Sequence, residues 1–174
     1  MELTPVQEKF IVHWGEMGTR WGINRTVAQI HALLYISPRP LHAEEIATIL
    51  SVARSNVSNS LRELQGWRLV KTTHVLGDRR DHFSTHSDVW EMFRVVAEER
   101  KRREMDPTLA LLDECLAEAG AAKEEKETRE KLLKLREFFS VTDAWYKQLA
   151  KWPTEALIRF AKLGDKVLKL LKLG

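Results

Sequence analysis

The chain has 174 residues, of which 44% are hydrophobic and 30% charged, and its net charge is +3 at pH 7. No segment approaches the roughly 20 uninterrupted apolar residues of a membrane span, and the first ten residues lack the basic-then-apolar order of a secretion signal. A single cysteine excludes an intramolecular disulfide and fits a reducing compartment. These features predict a cytoplasmic, helix-rich, soluble protein.

Two helices are predicted at the N-terminus. Thr4 and Pro5 form an N-cap and first-turn pair, and apolar residues recur every three or four positions after them. Residues 21–25 interrupt this helix and a second helix covers residues 26–36. The prolines in residues 37–40 then end it.

A short helix, a turn and another helix are predicted next. The short helix begins near His42 or Ala43, residues 51–53 interrupt it, and the following helix covers residues 54–67. Apolar residues of the latter recur at i, i+4 and i+7, so one side packs on a core while the other faces outward.

The outward face of the helix at residues 54–67 is polar and has no acidic residue before Glu63. Arginine can bind guanine bidentately, asparagine can bind adenine, and serine can bond base edges or phosphates. The face therefore predicts a DNA recognition helix; a capped, solvated helix of any helical domain is the alternative. The candidate DNA contacts are Arg54, Ser55, Asn56, Ser58, Asn59 and Arg62.

A basic β-hairpin is predicted after this helix. Residues 69–73 alternate as a strand, Gly77 and Asp78 supply a turn, and residues 82–85 return as a second strand. Residues 54–80 contain six Lys or Arg and two acidic residues, so the positive excess is local, as expected for a nucleic-acid contact. Cations here could reach phosphates or a narrow minor groove, and the candidates are Lys71, Arg79 and Arg80.

The helix, turn, helix and hairpin, with Asp78, Arg79 and Arg80 at its tip, resemble the winged helix-turn-helix of MarR-type bacterial regulators, whose wing carries an Asp-x-Arg signature. Residues 86–94, 98–103 and 106–107 resemble more specifically the GbsR-like branch, named for a regulator of glycine betaine synthesis. The resemblance covers roughly residues 5–120. It implies a homodimeric DNA-binding regulator, with residues 54–59 in the major groove and Arg79 or Arg80 on the wing.

One position departs from the pattern of that family. The residue three after Val57, usually apolar, is Ser60, and Leu61 follows one place later. The rotation of the recognition helix is therefore left open by about one residue.

Four more helices are predicted in the C-terminal half. One follows Ser87 or Asp88 and ends before Pro107, and Asp106 and Pro107 cap the next, which Gly120 closes. The other two helices cover residues 123–152 and 154–173.

These last two helices need partner surfaces. The apolar residues of 123–152 are spaced by three or four, which predicts a helix that packs on another surface. The Lys-rich helix at 154–173 is interpreted as part of a dimer interface; a membrane-surface helix is the alternative.

The predicted fold class is mainly α, a winged helix-turn-helix with long dimerisation helices. Residues 1–36 are expected to form N-terminal helices with a role in dimerisation and support. Residues 37–86 are expected to form the winged helix-turn-helix DNA-binding domain. Residues 87–174 are expected to form a helical region for dimerisation and for any effector. A two-fold dimer would present two recognition helices about 34 Å apart, matching an inverted-repeat operator. The predicted function is a ligand-responsive repressor; a winged-helix protein-interaction module and a membrane-associated regulator are the alternatives.

Aromatic residues are the candidates for an effector site. Phe10, Trp14, Trp21, Trp90 and Phe93 lie in helices expected to meet where the DNA-binding part joins the dimerisation helices. Aromatic faces attract quaternary ammonium groups, and the resemblance to the betaine-related branch makes choline or betaine the hypothesis. Core filling is the alternative role for such rings.

No enzyme activity, cofactor or metal is expected. The chain lacks a phosphate-binding glycine motif, a His-Glu-x-x-His motif and a nucleophile elbow. Its six histidines are scattered, and one cysteine cannot form a thiolate cluster. Cys115, between Leu112 and Leu116, is interpreted as a core residue; an intermolecular redox switch is the alternative.

Overall fold

The computed structural model describes residues 2–122 and 125–163, which form a mainly helical protein with one three-stranded antiparallel sheet. The chain divides into two compact units, residues 1–96 and 97–174. The elements of the first unit, in chain order, are α1 (Pro5–Arg20), α2 (Arg25–Ile36), β1 (Leu41–His42), α3 (Ala43–Leu50), α4 (Arg54–Gly66), β2 (Val70–Val75), β3 (Asp78–Thr85) and the start of α5 (Val89–Arg100).

Side-chain caps fix where the first two helices begin. Thr4 Oγ1 accepts a hydrogen bond from the Gln7 amide at 3.3 Å, and Gln7 Oε1 accepts one from the Thr4 amide at 2.9 Å. This capping box satisfies two backbone donors at the predicted start of α1. Asn24 Oδ1 accepts from the Thr26 amide at 2.8 Å, so α2 begins one residue earlier than predicted.

One hydrophobic core joins the two N-terminal helices to the helix-turn-helix and the sheet. Its most buried members come from α2, β1, α3 and α4, and each has no exposed surface. Removing such side chains from water is the main source of stability in a domain of this kind. These residues are Ile30, Leu33, Leu41, Ile46 and Val57.

The buried face of α4 settles the rotation that the sequence left open. Val57, Ser60, Leu61 and Leu64 are all buried. Ser60 therefore lies on the core face together with Leu61, and its small side chain takes the place of an apolar one without turning the helix. The remaining sides of α4 are free to face solvent.

The sheet has the strand order β1-β3-β2. Leu41 pairs with Phe83 across β1 and β3, and Thr72 pairs with the same Phe83 across β2 and β3. The hairpin was predicted, whereas β1 was not. A two-residue strand is too short to show any alternation in a sequence.

The hairpin turn lies one residue earlier than predicted. Val75 pairs with Asp78, which leaves Leu76 and Gly77 as the turn residues, and Gly77 has φ +85°. A positive φ at the second turn position favours glycine. Asp78 is thus the first residue of β3 and not part of the turn.

The second unit contains the end of α5, a π-helical turn (Lys101–Met105), α6 (Asp106–Ala122), α7 (Lys126–Leu149) and α8 (Thr154–Leu163). Asp88, just before α5, accepts hydrogen bonds from the amides of Trp90 and Glu91 through Oδ1, as expected for its predicted cap. The predicted end of the α8 helix, residues 164–173, lies outside the described residues.

Two predicted helix boundaries are wrong. Asp106 is not an N-cap, since its φ and ψ of −61° and −45° are helical and its amide donates to the Lys101 carbonyl in the π turn. Pro107 has no N–H to donate, and the wider π turn before it allows the proline to lie within continuous helical backbone. Thr108 Oγ1 donates a hydrogen bond to the Glu104 carbonyl at 2.6 Å. Gly120 does not close α6, which continues to Ala122.

Ion pairs connect the π turn, α6 and α7 in the second unit. Arg136 Nε of α7 donates to Asp113 Oδ1 of α6 at 2.8 Å. Lys101 and Lys147 both contact Asp143, at 2.9 and 2.7 Å.

Cys115, in α6, is half-buried. Within residues 2–122 and 125–163, none of the helices combines the length and the apolarity that a bilayer span requires.

Candidate nucleic-acid interface

None of the predicted DNA contacts of the recognition helix belongs to the buried face of α4. Five of the six are exposed and Ser58 is half-buried. The helix begins at Arg54 and has no acidic residue in its first turn. The N-terminal end of α4 therefore presents backbone N–H groups and cationic or neutral side chains, which favour a negatively charged partner. The exposed residues are Arg54, Ser55, Asn56, Asn59 and Arg62.

Arg54 is positioned by a carboxylate of the preceding helix. Arg54 Nε donates to Glu44 Oε1 at 2.9 Å, and its Nη1 donates to Ser58 Oγ on the next turn of α4. The bond from Arg54 lowers the pKa of Glu44 to about 2. His42 Nδ1, at 3.1 Å from Glu44 Oε2, lies on the other side of this carboxylate.

The other polar side chains of α4 differ in whether they have a hydrogen-bond partner within the protein. Arg62 Nη1 donates to Asn59 Oδ1 at 3.3 Å. In the part of the chain that the structure describes, the side chains of Ser55 and Asn56 make no hydrogen bond. Their donors and acceptors are thus available to a ligand.

The wing is fixed to the recognition helix by a polar contact. Gln65 Nε2 near the end of α4 donates to Thr72 Oγ1 of β2 at 2.9 Å. The chain between the two elements turns at Arg68, which has φ +58°. Together these features set the direction in which the hairpin leaves the helix.

Asp78 and Arg80 form a clamp on the wing. Arg80 Nε donates to Asp78 Oδ1 at 2.9 Å, Nη2 donates to Oδ2 at 2.5 Å, and the Arg80 amide donates to Oδ1 at 3.0 Å. The hydrogen bonds from Arg80 hold the pKa of Asp78 well below its ordinary value. The carboxylate is therefore ionised at neutral pH, and it compensates one of the two guanidinium charges of the wing.

Arg79 is placed differently from Arg80. Successive strand residues point to opposite faces, so Arg79 points away from the clamp. Its side chain is exposed, and neither the described ion pairs nor the described hydrogen bonds include it. Lys71 of β2 is likewise exposed. Arg79 and Lys71 are the predicted wing cations that remain available to a phosphate.

Two histidines brace the base of the wing. His82 is buried, and its Nδ1 lies 3.0 Å from the Arg80 carbonyl oxygen, so this nitrogen carries the hydrogen and donates. Its ring meets that of His42 edge-on, with centroids 5.5 Å apart. The two residues pair across β1 and β3. This contact links the wing to the start of α3, and nothing in the sequence pattern pointed to it.

A small apolar cavity of about 190 Å³ lies between the first two helices and the start of α5. Two of the five predicted effector residues, Phe10 and Trp14, line it, and their ring centroids are 5.5 Å apart. The remaining lining residues are Ala32, Val89, Met92, His31 and Tyr35.

The other three predicted effector residues do not line this cavity. Trp21 packs edge-on against Trp14 at 5.6 Å. Trp90 and Phe93 contact each other at 6.4 Å, and Phe93 is 60% exposed. The structure thus divides the predicted set into a pair at the cavity, Trp21 beside that pair, and a second pair on α5.

His31, beside the cavity, is held neutral. Burial, with a smaller effect from His86, lowers its pKa to about 4. Thr85 Oγ1 donates to the Leu69 carbonyl at 2.6 Å and lies 3.2 Å from His31 Nε2. Because the hydroxyl hydrogen is used on Leu69, Thr85 accepts from His31, and Nε2 carries the hydrogen.

Among the described side chains, no three histidine, cysteine, aspartate or glutamate residues converge where a metal ion could bind.

Residues 21–81, about a third of the chain, match the model of the MarR family. The matched segment contains α2, the helix-turn-helix and most of the wing, and it supports a DNA-binding transcription regulator. No match was found among curated proteins.

Solved structures resemble the chain over most of its length. A crystal structure of a transcriptional regulator is 22% identical, with a TM-score of 0.69 over 91% of this chain and 99% of that chain. A transcriptional regulator from Thermotoga maritima is 20% identical over 79% and 89% of the two chains, with a TM-score of 0.39. A mutant of MepR from S. aureus, bound to an oligodeoxyribonucleotide, is 16% identical over 80% and 92%, with a TM-score of 0.40. The family match and the first of these structures confirm the predicted winged-helix fold.

Proposed function

We propose that this chain is a cytoplasmic transcriptional repressor that binds an inverted-repeat operator as a homodimer and responds to a small ligand. The observation that carries the proposal is the exposed polar face of α4 beside a cationic wing, inside the segment that matches the MarR family. The finer resemblance to the GbsR-like branch stays a prediction.

Base reading is assigned to the exposed end of α4. Arg54 and Asn56 carry the groups that pair bidentately with guanine and adenine in the major groove, while Ser55 can bond a base edge or a phosphate. Asn56 has no partner among the described residues, so it loses no internal hydrogen bond when it binds a base. Arg54 keeps the orientation that Glu44 gives it.

Phosphate binding is assigned to the wing and the flank of α4. Arg79 and Lys71 are exposed cations on the two strands of the hairpin. Arg80 forms an ion pair with Asp78, so this pair adds little net charge to the wing. The main role of Arg80 is to stabilise the conformation of the hairpin. Arg62 and Asn59, bonded to each other, lie further along α4.

An exposed apolar stripe on α7 supports the homodimer. Phe138, Val141 and Trp145 are 63%, 64% and 54% exposed, and their spacing of three and four residues places them on one side of the helix. Leu135 extends the same side. A stripe of this kind is typical of a helix that packs on another protein surface, and a second copy of the chain is the partner that an inverted repeat requires.

The cavity beside Phe10 and Trp14 is the proposed effector site. Two aromatic rings at 5.5 Å, with Tyr35 nearby, can contact a quaternary ammonium group by cation–π interaction. Choline or betaine remains the proposed effector class. A ligand that wedges between α1, α2 and the start of α5 would shift the helices on which the DNA-binding elements pack, and it could change the separation of the two recognition helices.

Selection of duplexes from a random pool tests the proposal. The full chain is expected to enrich an inverted repeat whose half-sites are centred about 10 base pairs apart. Repetition with Asn56→Ala provides the matched control, since the same fold should then enrich a different half-site. Enrichment of no sequence, or of a single unrepeated site, would contradict the proposal.

A further inference from the structure

The tip of the wing is apolar. Leu76, the first residue of the two-residue turn, is 103% exposed, and its neighbour Val75 is 41% exposed. We propose that Leu76 is an apolar wedge that enters the DNA minor groove and partly unstacks a base step there. The proposal rests on the DNA-binding function proposed above and names a contact within it.

Neither packing nor turn geometry explains a leucine at this position. A side chain with its full surface in water contributes nothing to the core of its own chain. The left-handed conformation of the turn falls on Gly77, so Leu76 needs no special backbone property. Polar residues such as Asn, Asp and Ser are the usual choice in an exposed turn.

The hairpin holds Leu76 in a defined position. Val75 and Asp78 pair directly across the turn. Below them, the hydroxyl contact between Thr73 and Ser84, at 3.3 Å, joins the two strands of the hairpin, and the Asp78–Arg80 clamp orders the start of β3. The backbone that carries such a side chain loses little conformational freedom when the tip binds, which favours its use as a contact.

The charges around the tip match a nucleic-acid groove. Exposed Arg79 lies three residues after Leu76, and Lys71 lies five residues before it on the opposite strand, while the carboxylate of Asp78 is neutralised by Arg80. A minor groove has phosphate walls on both sides and sugar and base edges between them. Proteins that kink DNA insert leucine, isoleucine, phenylalanine, methionine or proline between base steps from that side.

Substitution of Leu76 separates an apolar contact from an electrostatic one. We expect Leu76→Ser to weaken binding to the selected duplex about tenfold, because the burial of one leucine side chain is lost. The salt dependence of binding should equal that of the unsubstituted protein, since no charge changes. Leu76→Met, which restores an apolar side chain of similar size, should bind within about twofold of the unsubstituted protein. By contrast, Arg79→Ala should reduce the slope of log K against log salt by about one for each wing.

A base analogue reports on the wedge itself. With 2-aminopurine placed in turn at each step of the minor groove that flanks the recognition half-site, fluorescence should rise at one step when the unsubstituted protein binds. The rise should be absent with Leu76→Ser and present with Leu76→Met. Equal affinity and equal fluorescence for Leu76→Ser and the unsubstituted protein would overturn the proposal, as would a Leu76→Met variant that behaves like Leu76→Ser.

These experiments distinguish failure of the Leu76 proposal from failure of the proposed DNA-binding function. If the unsubstituted protein binds its duplex and Leu76→Ser binds as tightly, the tip serves another contact and the regulator proposal stands. If the unsubstituted protein binds no duplex, both proposals fall. Because Leu76 makes no contribution to the core, both variants are expected to fold, and their circular dichroism should match that of the unsubstituted protein.

Discussion

Arg54 Nε lies 2.9 Å from Glu44 Oε1, so the arginine proposed to read bases already has an anionic partner in the free protein. Glu44 belongs to α3 and Arg54 begins α4, and the bond therefore spans the turn between the two helices of the helix-turn-helix. On the DNA, a carboxylate so close to the groove repels phosphates while it orients the guanidinium. This arrangement favours discrimination between sequences over overall affinity.

Removal of that carboxylate should relax specificity. We expect Glu44→Gln to bind scrambled duplexes more tightly, because one repulsive charge is lost, and to show a specific-to-scrambled ratio reduced by about threefold to tenfold. Competition gel shifts at two salt concentrations measure both quantities. Glu63→Gln removes an exposed carboxylate from α4 itself and is the matched control. If the two variants lose specificity equally, general charge and not the orientation of Arg54 is the cause.

Substitutions on α4 and on the wing should have different effects. Arg54→Ala and Asn56→Ala are expected to change which sequences are preferred, whereas Arg80→Ala should weaken binding to all sequences. Loss of Arg80 leaves Asp78 uncompensated on the wing, so the hairpin carries an extra negative charge toward the phosphates. Gel shifts across the selected and scrambled duplexes measure this. Unchanged binding of Arg80→Ala would count against the wing assignment.

The stability of the protein should fall as the pH is lowered below about 6.5. Folded His31 has a pKa of about 4, compared with 6.5 in the unfolded chain. Between these values the unfolded state binds the proton and the folded state does not, so the free energy of unfolding rises with pH across this window. The contribution of His31 reaches its full value above pH 6.5. The total change is about 3 kcal/mol for a shift of this size. Denaturant titrations at pH 4.5 and 7 measure it.

His31→Gln supplies the control for the pH dependence. Glutamine can still donate to Thr85 Oγ1, but it does not titrate. We expect this variant to lose most of the change in stability between pH 4.5 and 7. If its pH dependence equals that of the unsubstituted protein, another group is responsible.

The cavity residues can be tested with ligands. Choline and betaine should raise the melting temperature of the unsubstituted protein, and Trp14→Leu should abolish the rise because one aromatic face is removed. Phe93→Leu, outside the cavity, should keep it. A neutral isostere of choline shows whether charge matters, and an equal response to the isostere or no response to any compound would remove the proposed effector class.

The α7 stripe can be tested by charge insertion. Phe138→Glu is expected to shift the protein from dimer to monomer in light-scattering measurements, because a carboxylate would be buried in the apolar interface. Arg129 lies nine residues before Phe138, on the opposite side of α7, so Arg129→Glu should leave the dimer intact. A dimeric Phe138→Glu variant would show that the subunits meet elsewhere.

The sequence predicted most of the first unit because the local signals agree with the tertiary structure. Thr4 and Pro5 mark the start of α1, and the apolar positions of α4 predict its buried face. The wing follows from an alternating strand and a glycine turn, although Leu76 and not Asp78 accompanies Gly77 in that turn. Register across a hairpin depends on which residues pair, and a single sequence does not state this.

The failures have two causes, a local helix variant that no sequence pattern signals and contacts between residues that are distant in the chain. A proline after an aspartate normally begins a helix, but Pro107 follows a π turn that absorbs its missing N–H, and no local pattern signals such a turn. The partners of Arg54 and His82 were missed because they lie far from these residues in the chain. Glu44 lies ten residues before Arg54, and His42 pairs with His82 only through the sheet.

In the proposed complex, two copies of α4 face one DNA duplex. Hydroxyl-radical and methylation-interference footprints on the selected duplex test this arrangement. We expect two patches of major-groove interference about one helical turn apart, each flanked by a protected minor-groove segment under the wing. A single patch, or protection confined to the minor groove, would contradict it.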